Sequence, residues 1–491
     1  MTMMATIIWI LLAVFAVLGI IILLLIIAVV RALTVKTPTR PEGANRNSKA
    51  DNERGMRYAP RLSRMIQVET VSSRYNADTA RFYVFHKALE ELFPNIHRVC
   101  EKNDIGGSLL FCWKGEKRRA PVLLMSHMDV VEAQGEWKHQ PFSGEIADGR
   151  VWGRGTVDTK GNLFCMMQAV EELIESGYTP PGDVYIASSC TEEHLGRGAP
   201  DTVEFLRSRG VKLWLLLDEG GVIMDEPFAG VKGRYAMIGV VEKGYSDIRF
   251  YARGKGGHAS APPKNTPITR LAKFISAVDK KRLFRAEVSS VVKEMFGAFL
   301  PGMSFPMRLV FKNLWLFEPL IKRVMGNISS LGAAMLQTTV AFTMASGSKG
   351  ANVLPQEASV TANMRFIPHQ AGDESVNIIT SLAKKYDIAH EIIVRSEPSD
   401  TADTKSRAYK EVEAAIKRVF PAVDVSPYIM TGGTDSRFYS PVCSCCLRFA
   451  PLFIDKQQFS SVHAADENIS VDALPAAVDF FKQIIDLTLT E

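Results

Sequence analysis

The sequence predicts an α/β fold: a mostly parallel sheet sandwiched by helices, interrupted by a smaller α+β insertion and preceded by a transmembrane helix. Three observations carry this reading. From about Tyr58, short all-apolar runs alternate with segments of helical periodicity, the pattern of strands buried on both faces and the helices that cover them. Near Val240 the style changes to longer strands that alternate apolar and polar residues, as half-exposed antiparallel sheets do. At the start, Ala5 to Val30 is a nearly unbroken apolar run without a charge, and about 20 such residues suffice to cross a bilayer as a helix.

The elements follow in order. The run Ala5 to Val30 reads as a retained anchor rather than a signal peptide, because no Lys or Arg precedes it and no small-x-small cleavage site follows. The flanking positives Arg31, Lys36, Arg40, Arg46 and Lys49 all lie after it, which by the positive-inside tendency leaves the remainder cytoplasmic. Residues 31–57 read as a tether, and a first catalytic segment occupies 58–239. Within that segment Asp78 to Phe93 is helical, with Asp78 as a cap and Pro94 as a stop. Ala120 to Ser126, Asp183 to Ser189 and Leu213 to Leu217 have the length and composition of buried strands, and Asn162 to Ser176 that of a helix. A lid spans 240–396. Its strands are Tyr245 to Ala252, Glu357 to Phe366 and Ile388 to Val394, and its helices Thr266 to Val278 and Asp373 to Lys384. Inside the lid, residues 285–336 are rich in Phe, Leu and Met. They read either as extra helices packed on the lid or as an apolar, membrane-facing surface for a lipid-like substrate. The catalytic domain resumes over 397–491, with helices at Ala408 to Phe420 and Ala473 to Leu487 and a strand near Cys446 to Phe449.

With 491 residues the chain exceeds the size of one core, so two domains are expected. The net charge of +5 is small for this length and gives no reason to invoke nucleic acid. Seven cysteines without zinc-ribbon spacing, three of them in the apolar stretch Val442 to Phe449, read as buried thiols.

The chemistry lies in a set of motifs, of which those from His127 to Asp218 fall at or just after the predicted strand ends, where open α/β sheets build their sites. They are Ser126-His127-Met128-Asp129, Gly153-Arg154-Gly155-Thr156-Val157-Asp158, Thr191-Glu192-Glu193-His194, Leu217-Asp218-Glu219-Gly220-Gly221 and, near the end, Val462-His463-Ala464-Ala465-Asp466-Glu467. Mixed imidazole and carboxylate donors suit zinc or a neighbouring divalent metal. Asp129, two residues from His127, can fix that ring's tautomer. Asp158 in a Gly-flanked turn can bridge two cations, or simply cap the following helix. Glu192 and Glu193 point apart on any regular backbone, so one can bind metal while the other handles protons. Singly, Asp218 reads as a strand-end residue, His463 as an ordinary histidine and His258 as part of a Gly-rich hairpin, Gly254 to Pro263.

Taken together and in this chain order, the motifs resemble the di-zinc amidohydrolases that include acetylornithine deacetylase, succinyl-diaminopimelate desuccinylase, aminoacylase and carboxypeptidase G. The apolar insert and N-terminal anchor are most similar to the Gly-X carboxypeptidase and N-fatty-acyl-amino-acid hydrolase branch. The resemblance implies a zinc-peptidase-like domain with a ferredoxin-like lid and two Zn2+, with Co2+ or Mn2+ as alternatives. It assigns His127, Asp158 and Asp218 to one zinc and Asp158, Glu193 and His463 to the other, with Glu192 as general base and acid and Asp129 orienting His127. From the lid it implies His258 as oxyanion stabiliser, often across a homodimer. Asn352, Arg365, Gly433, Thr434 and Arg437 would bind the substrate. The expected reaction is hydrolysis of the amide bond of an N-acyl amino acid or short peptide with a free carboxylate. A dipeptidase or short-chain deacylase is the alternative, and a non-catalytic membrane-anchored metal-binding protein the remote one. Thr191 departs from the family pattern, in which Asp commonly precedes the Glu pair; this touches the tuning of the site.

Overall fold

The computed structural model describes residues 2–36, 49–74, 78–116 and 120–487. The central sheet follows the strand order 101–105, 108–113, 184–188, 122–125, 215–218, 446–448, 234–242, 424–430, with 223–225 beside 234–242. Its middle strands, 184–188, 122–125, 215–218 and 446–448, are mutually parallel, and antiparallel pairs extend the sheet on either side. Every residue of Val122–Met125 and Val184–Ser188 is buried. Val122 and Leu124 face a large core shared with Phe164 and Phe480, while Leu123 and Met125 face Val203 and Leu206 of the helix Gly198–Ser208. Both faces are therefore covered, which is why these strands are unbroken apolar runs.

The lid is a separate four-stranded antiparallel sheet in the order 339–346, 357–366, 244–253, 389–396. With the helices Pro267–Lys280 and Gly372–Lys384 the chain order is strand, helix, strand, strand, helix, strand, the ferredoxin-like arrangement. The strand Gly244–Arg253 alternates strictly: Ile248, Phe250 and Ala252 bury against the helices. The opposite face carries Tyr245, Asp247 and, from the neighbouring strand, Asn363 and Arg365.

The insert folds as the helices Ser290–Phe299, Phe305–Phe311, Leu314–Ile328 and Ser330–Leu336. Val291, Met295 and Phe299 join the catalytic core rather than the lid core. At the N-terminus, Thr2–Leu33 is one helix, and its stretch Met4–Leu33, which contains an 18-residue window of mean hydropathy 3.6, is long and apolar enough to cross a membrane; a signal sequence shares that character. Of the tether expected over 31–57, residues 37–48 lie outside the described residues. Residues 49–57 belong instead to the helix Lys49–Ile66, pinned to the domain by the Arg54–Asp479 ion pair at 2.8 Å. All seven cysteines are free, and six are buried.

Candidate metal centre

His127 follows the strand Val122–Met125 and is 3% exposed. Its Nδ1 lies 2.9 Å from the Asp129 carbonyl, which can only accept, so the proton sits on Nδ1 and Nε2 points to Asp158 Oδ1 at 3.0 Å. Asp129 is fully buried and organises the next loop: its Oδ1 accepts the N–H of Glu192, and its Oδ2 accepts the N–H of Glu193 and the Ser72 hydroxyl.

Asp158 is reached from both sides. Its second oxygen, Oδ2, lies 3.1 Å from His463 Nε2, and the same nitrogen is 3.2 Å from Glu193 Oε2. Ligand atoms of His127, Asp158 and Glu193 all fall within 4.8 Å of one another. The N-cap position of the helix Lys160–Glu175 is Thr159, without a side-chain capping bond, so the Asp158 carboxylate is not spent on capping. His463 has φ of 60°, a left-handed backbone that costs an L-residue about 1–2 kcal/mol. The Asp158 loop is fixed by a group absent from the expected set. Fully buried Glu467 accepts the N–H groups of Gly155, Val157 and Asp158 and pairs with Arg154 at 2.7 Å. The signal was present four residues after His463, in the same terminal motif.

The electrostatics are those of crowded carboxylates. Burial pushes Glu192 well above the ordinary range, and neighbouring Asp435, Glu219 and Glu193 add to it against the pull of His127. His463 is raised to about 10 by Asp158 and Glu193. Asp158 is held well below its usual value by His127 and His463, which overcome its burial. Glu193 Oε1 is buried without a hydrogen-bond partner. An orphaned carboxylate oxygen beside two imidazoles and a second carboxylate fits a bound divalent cation.

Asp218, expected as a ligand, lines a small cavity with His127, Glu192 and Asp435. Both of its oxygens accept backbone N–H groups, from Glu219 and from Ser436, each at 2.9 Å. The neighbouring carboxylate Glu219 acts on Asp158, His127 and Glu193 through its charge, so the pair brings two acidic groups toward the cluster.

The expected substrate residues divide. In the loop Gly432 to Arg437, Thr434 donates to buried Glu242 through N–H and hydroxyl. Arg437 Nη2 pairs with the same carboxylate at 2.9 Å, while its Nε donates to Thr434 O. Arg448 completes the knot, with Nε 2.7 Å from Glu242. Glu242 stays ionised: burial opposes this, but Arg448 and Arg437 outweigh it. A Cβ on Gly433 would fall 1.1 Å from Arg437 Nη2, so glycine is required there for the guanidinium to pass. Arg437 is thus committed to Glu242 and 6% exposed, a scaffold for the loop rather than an open carboxylate fork. Arg365 lies over the Tyr245 ring, donates to Asn363, and among the described residues has no carboxylate within ion-pair distance. His258 and Asn352 share a small exposed arm of the lid, where the strands Gly257–His258 and Val353–Leu354 pair and Ala259 N–H donates to Asn352 O. Among the described residues the His258 ring bonds to Ser260 and has no contact with the Asp158 cluster.

Comparison with known proteins agrees with this architecture. The profile of Peptidase family M20/M25/M40 matches residues 123–487. A human protein named N-fatty-acyl-amino acid synthase/hydrolase is 33% identical over 437 residues, covering 86% of each chain. A Dictyostelium discoideum protein named probable carboxypeptidase S-like 2 is 32% identical over 451 residues, covering 88% of this chain and 85% of its own. Among solved structures, an M20 family metallo-carboxypeptidase from Sulfolobus solfataricus superposes with a TM-score of 0.64 at 17% identity, covering 87% of this chain and 98% of its own. Human carnosine dipeptidase 1 also gives 0.64, at 14% identity, covering 91% and 100%. With the geometry of the Asp158 cluster, these matches establish that the chain is a hydrolase of amide bonds and belongs to the M20/M25/M40 metallopeptidase family.

Proposed function

We propose that this chain is a two-zinc hydrolase that cleaves the amide bond of N-acyl amino acids or short peptides bearing a free carboxylate, held at a membrane by its N-terminal helix. The observation that carries the reading is Asp158, whose two oxygens face two different histidines, one from each half of the catalytic domain. On this reading His127, Asp158 and Asp218 hold one ion, and Asp158, Glu193 and His463 the other. Two zinc ions, or cobalt or manganese in their place, would supply Lewis-acid polarisation of the scissile carbonyl and lower the pKa of the attacking water.

The chain's own residues do the rest. Glu192, 11% exposed, has its Oε2 3.9 Å from His127 Nε2 and is raised toward the pH range in which a carboxyl group exchanges protons. It takes the proton of the attacking water and returns it to the leaving nitrogen. Asp129 holds Glu192 and Glu193 in register through their adjacent N–H groups. Arg365 and Asn352 receive the substrate carboxylate, for which a guanidinium fork is suited. Arg437, through Glu242, sets the shape of the loop beside them. His258 is supplied to the site by a second copy of the chain docked through the lid, and stabilises the developing oxyanion.

Similarity to a human protein named for N-fatty-acyl amino acids favours a long acyl group, and the apolar insert is in keeping with it. Turnover of oleoyl- and acetyl-amino acids by the purified full chain, after chelation and re-addition of zinc, cobalt or manganese, tests the proposal. Faster oleoyl turnover is expected. Preference for acetyl or dipeptide substrates would establish the short-chain alternative, and inertness toward the whole panel would overturn the proposed substrate class.

A further inference from the structure

The N-terminal helix is docked against the body of the enzyme. Ala28 and Ala32, one turn apart, are fully buried where it meets the helix Phe305–Phe311, although nearly all of its other described residues are exposed. Small residues at this spacing let two backbones approach closely. Fully buried Asn313 seals the contact: its Nδ2 donates to the Ala28 carbonyl at 2.9 Å, and its Oδ1 accepts from the Trp315 indole at 3.2 Å. Trp315 is therefore tied, through one side chain, to the last turn of the apolar run. Ala28 precedes the first charge, Arg31, by three residues, about 4–5 Å along the helix. That is the depth of the headgroup boundary, where tryptophan concentrates.

The surface around Trp315 is apolar and basic. Phe305, Trp315, Leu320 and Leu331 are 38–53% exposed. On the helix Leu314–Ile328, Trp315, Pro319, Leu320, Arg323 and Gly326 form the outward stripe, while Ile321 and Met325 turn inward. Residues 300–336 carry four basic side chains and one acidic, Glu318, which is neutralised by Lys293 and Lys322. The far end of the insert reaches the substrate loop: Lys243 donates to the carbonyls of Ala334 and Gln337, next in sequence to Glu242.

We propose that the outward face of residues 305–331 is a membrane-binding surface that lies in the headgroup boundary of the bilayer spanned by the N-terminal helix, with its basic residues toward anionic lipid. The inference rests on the helix being retained as an anchor. It gives the insert a role the amide chemistry alone does not require, since amphiphilic acyl-amino acids partition into that same boundary.

Bromine on a lipid acyl chain quenches tryptophan by contact, and this is read without substrate. The full chain and its Trp315→Phe variant are reconstituted in phosphatidylcholine–phosphatidylglycerol vesicles, with bromine placed either near the headgroup or near the chain end. The difference between the two proteins isolates Trp315 from Trp9 of the anchor. The proposal expects that difference signal to be quenched, more strongly by the shallow bromine. A difference signal untouched by either lipid overturns it, as does one that depends on protein concentration instead, which would assign the face to a second copy. Mass spectrometry showing the first 31 residues removed would also overturn it. None of these outcomes bears on whether acyl-amino acids are hydrolysed, so failure here is distinguishable from failure of the proposed reaction.

Discussion

The catalytic domain and the lid hold their functional side chains in opposite ways. In the catalytic domain, four loops from distant parts of the chain converge until His127, Asp158, Glu193 and His463 touch, and a further buried carboxylate, Glu467, locks the key loop. In the lid, His258 and Asn352 stand on an exposed arm, and Arg365 lies on an open sheet face. Convergence is what metal binding demands, because donors must meet within a few ångströms. Openness is what a substrate-gripping element demands, because its partner arrives from outside. The first region draws its donors from one chain; the second, on the proposed function, waits for a ligand or a second copy.

The sharpest way to break this comparison is at Glu192. Glu192→Gln should lower kcat by about 10²–10⁴-fold, the range for losing a positioned general base, with metal content by elemental analysis unchanged. Near-normal turnover would remove the proton shuttle from the account. Next in size is the brace: Arg154→Met leaves Glu467 buried without its cation. Breaking a buried pair costs about 3–5 kcal/mol, read as a lowered midpoint in urea unfolding. An unchanged midpoint would mean that the backbone donors alone hold Glu467.

What the sequence revealed follows the same division. The donor motifs at His127, Glu192-Glu193 and Asp218 were legible because each sits at or just after the end of a buried strand, whereas Asp158 lies in the turn after Arg150–Trp152 and His463 follows the helix Lys456–Ser461. The helix Ala473–Leu487 and the strand Glu357–Phe366 emerged with the boundaries their periodicity suggested. The hairpin 101–113 was not anticipated, though Gly106-Gly107, at φ of 60° and 93°, forms the two-residue turn that such a pair signals. The parallel strands Arg234–Glu242 and Asp424–Met430 were hidden for a physical reason. Gly239 and Pro427 interrupt their patterns, and the expected domain boundary at Val240 fell inside the first. Arg437 was legible as a residue, but its pairing with Glu242, remote in sequence, was not, since nothing local announces it.

The adjacent pair Asp218-Glu219 yields the third prediction. Asp218→Asn should remove about one of two bound metal ions per chain, since a lost carboxylate donor weakens one site. Glu219→Gln should retain both. The reverse result would make Glu219 the ligand. The smallest signal tests the open lid: mixing inactive Glu192→Gln and His258→Ala chains should recover about a quarter of wild-type activity if His258 serves the other copy across a two-fold interface. No recovery would place His258 on its own chain or outside the reaction.

The central claim is that Asp158 joins two metal sites, and counting metal in one variant tests it most directly. Elemental analysis of the purified full chain should give two zinc ions per chain, and Asp158→Asn, with the fold confirmed by circular dichroism, should lose both. A folded Asp158→Asn chain that still carried two ions would contradict the account.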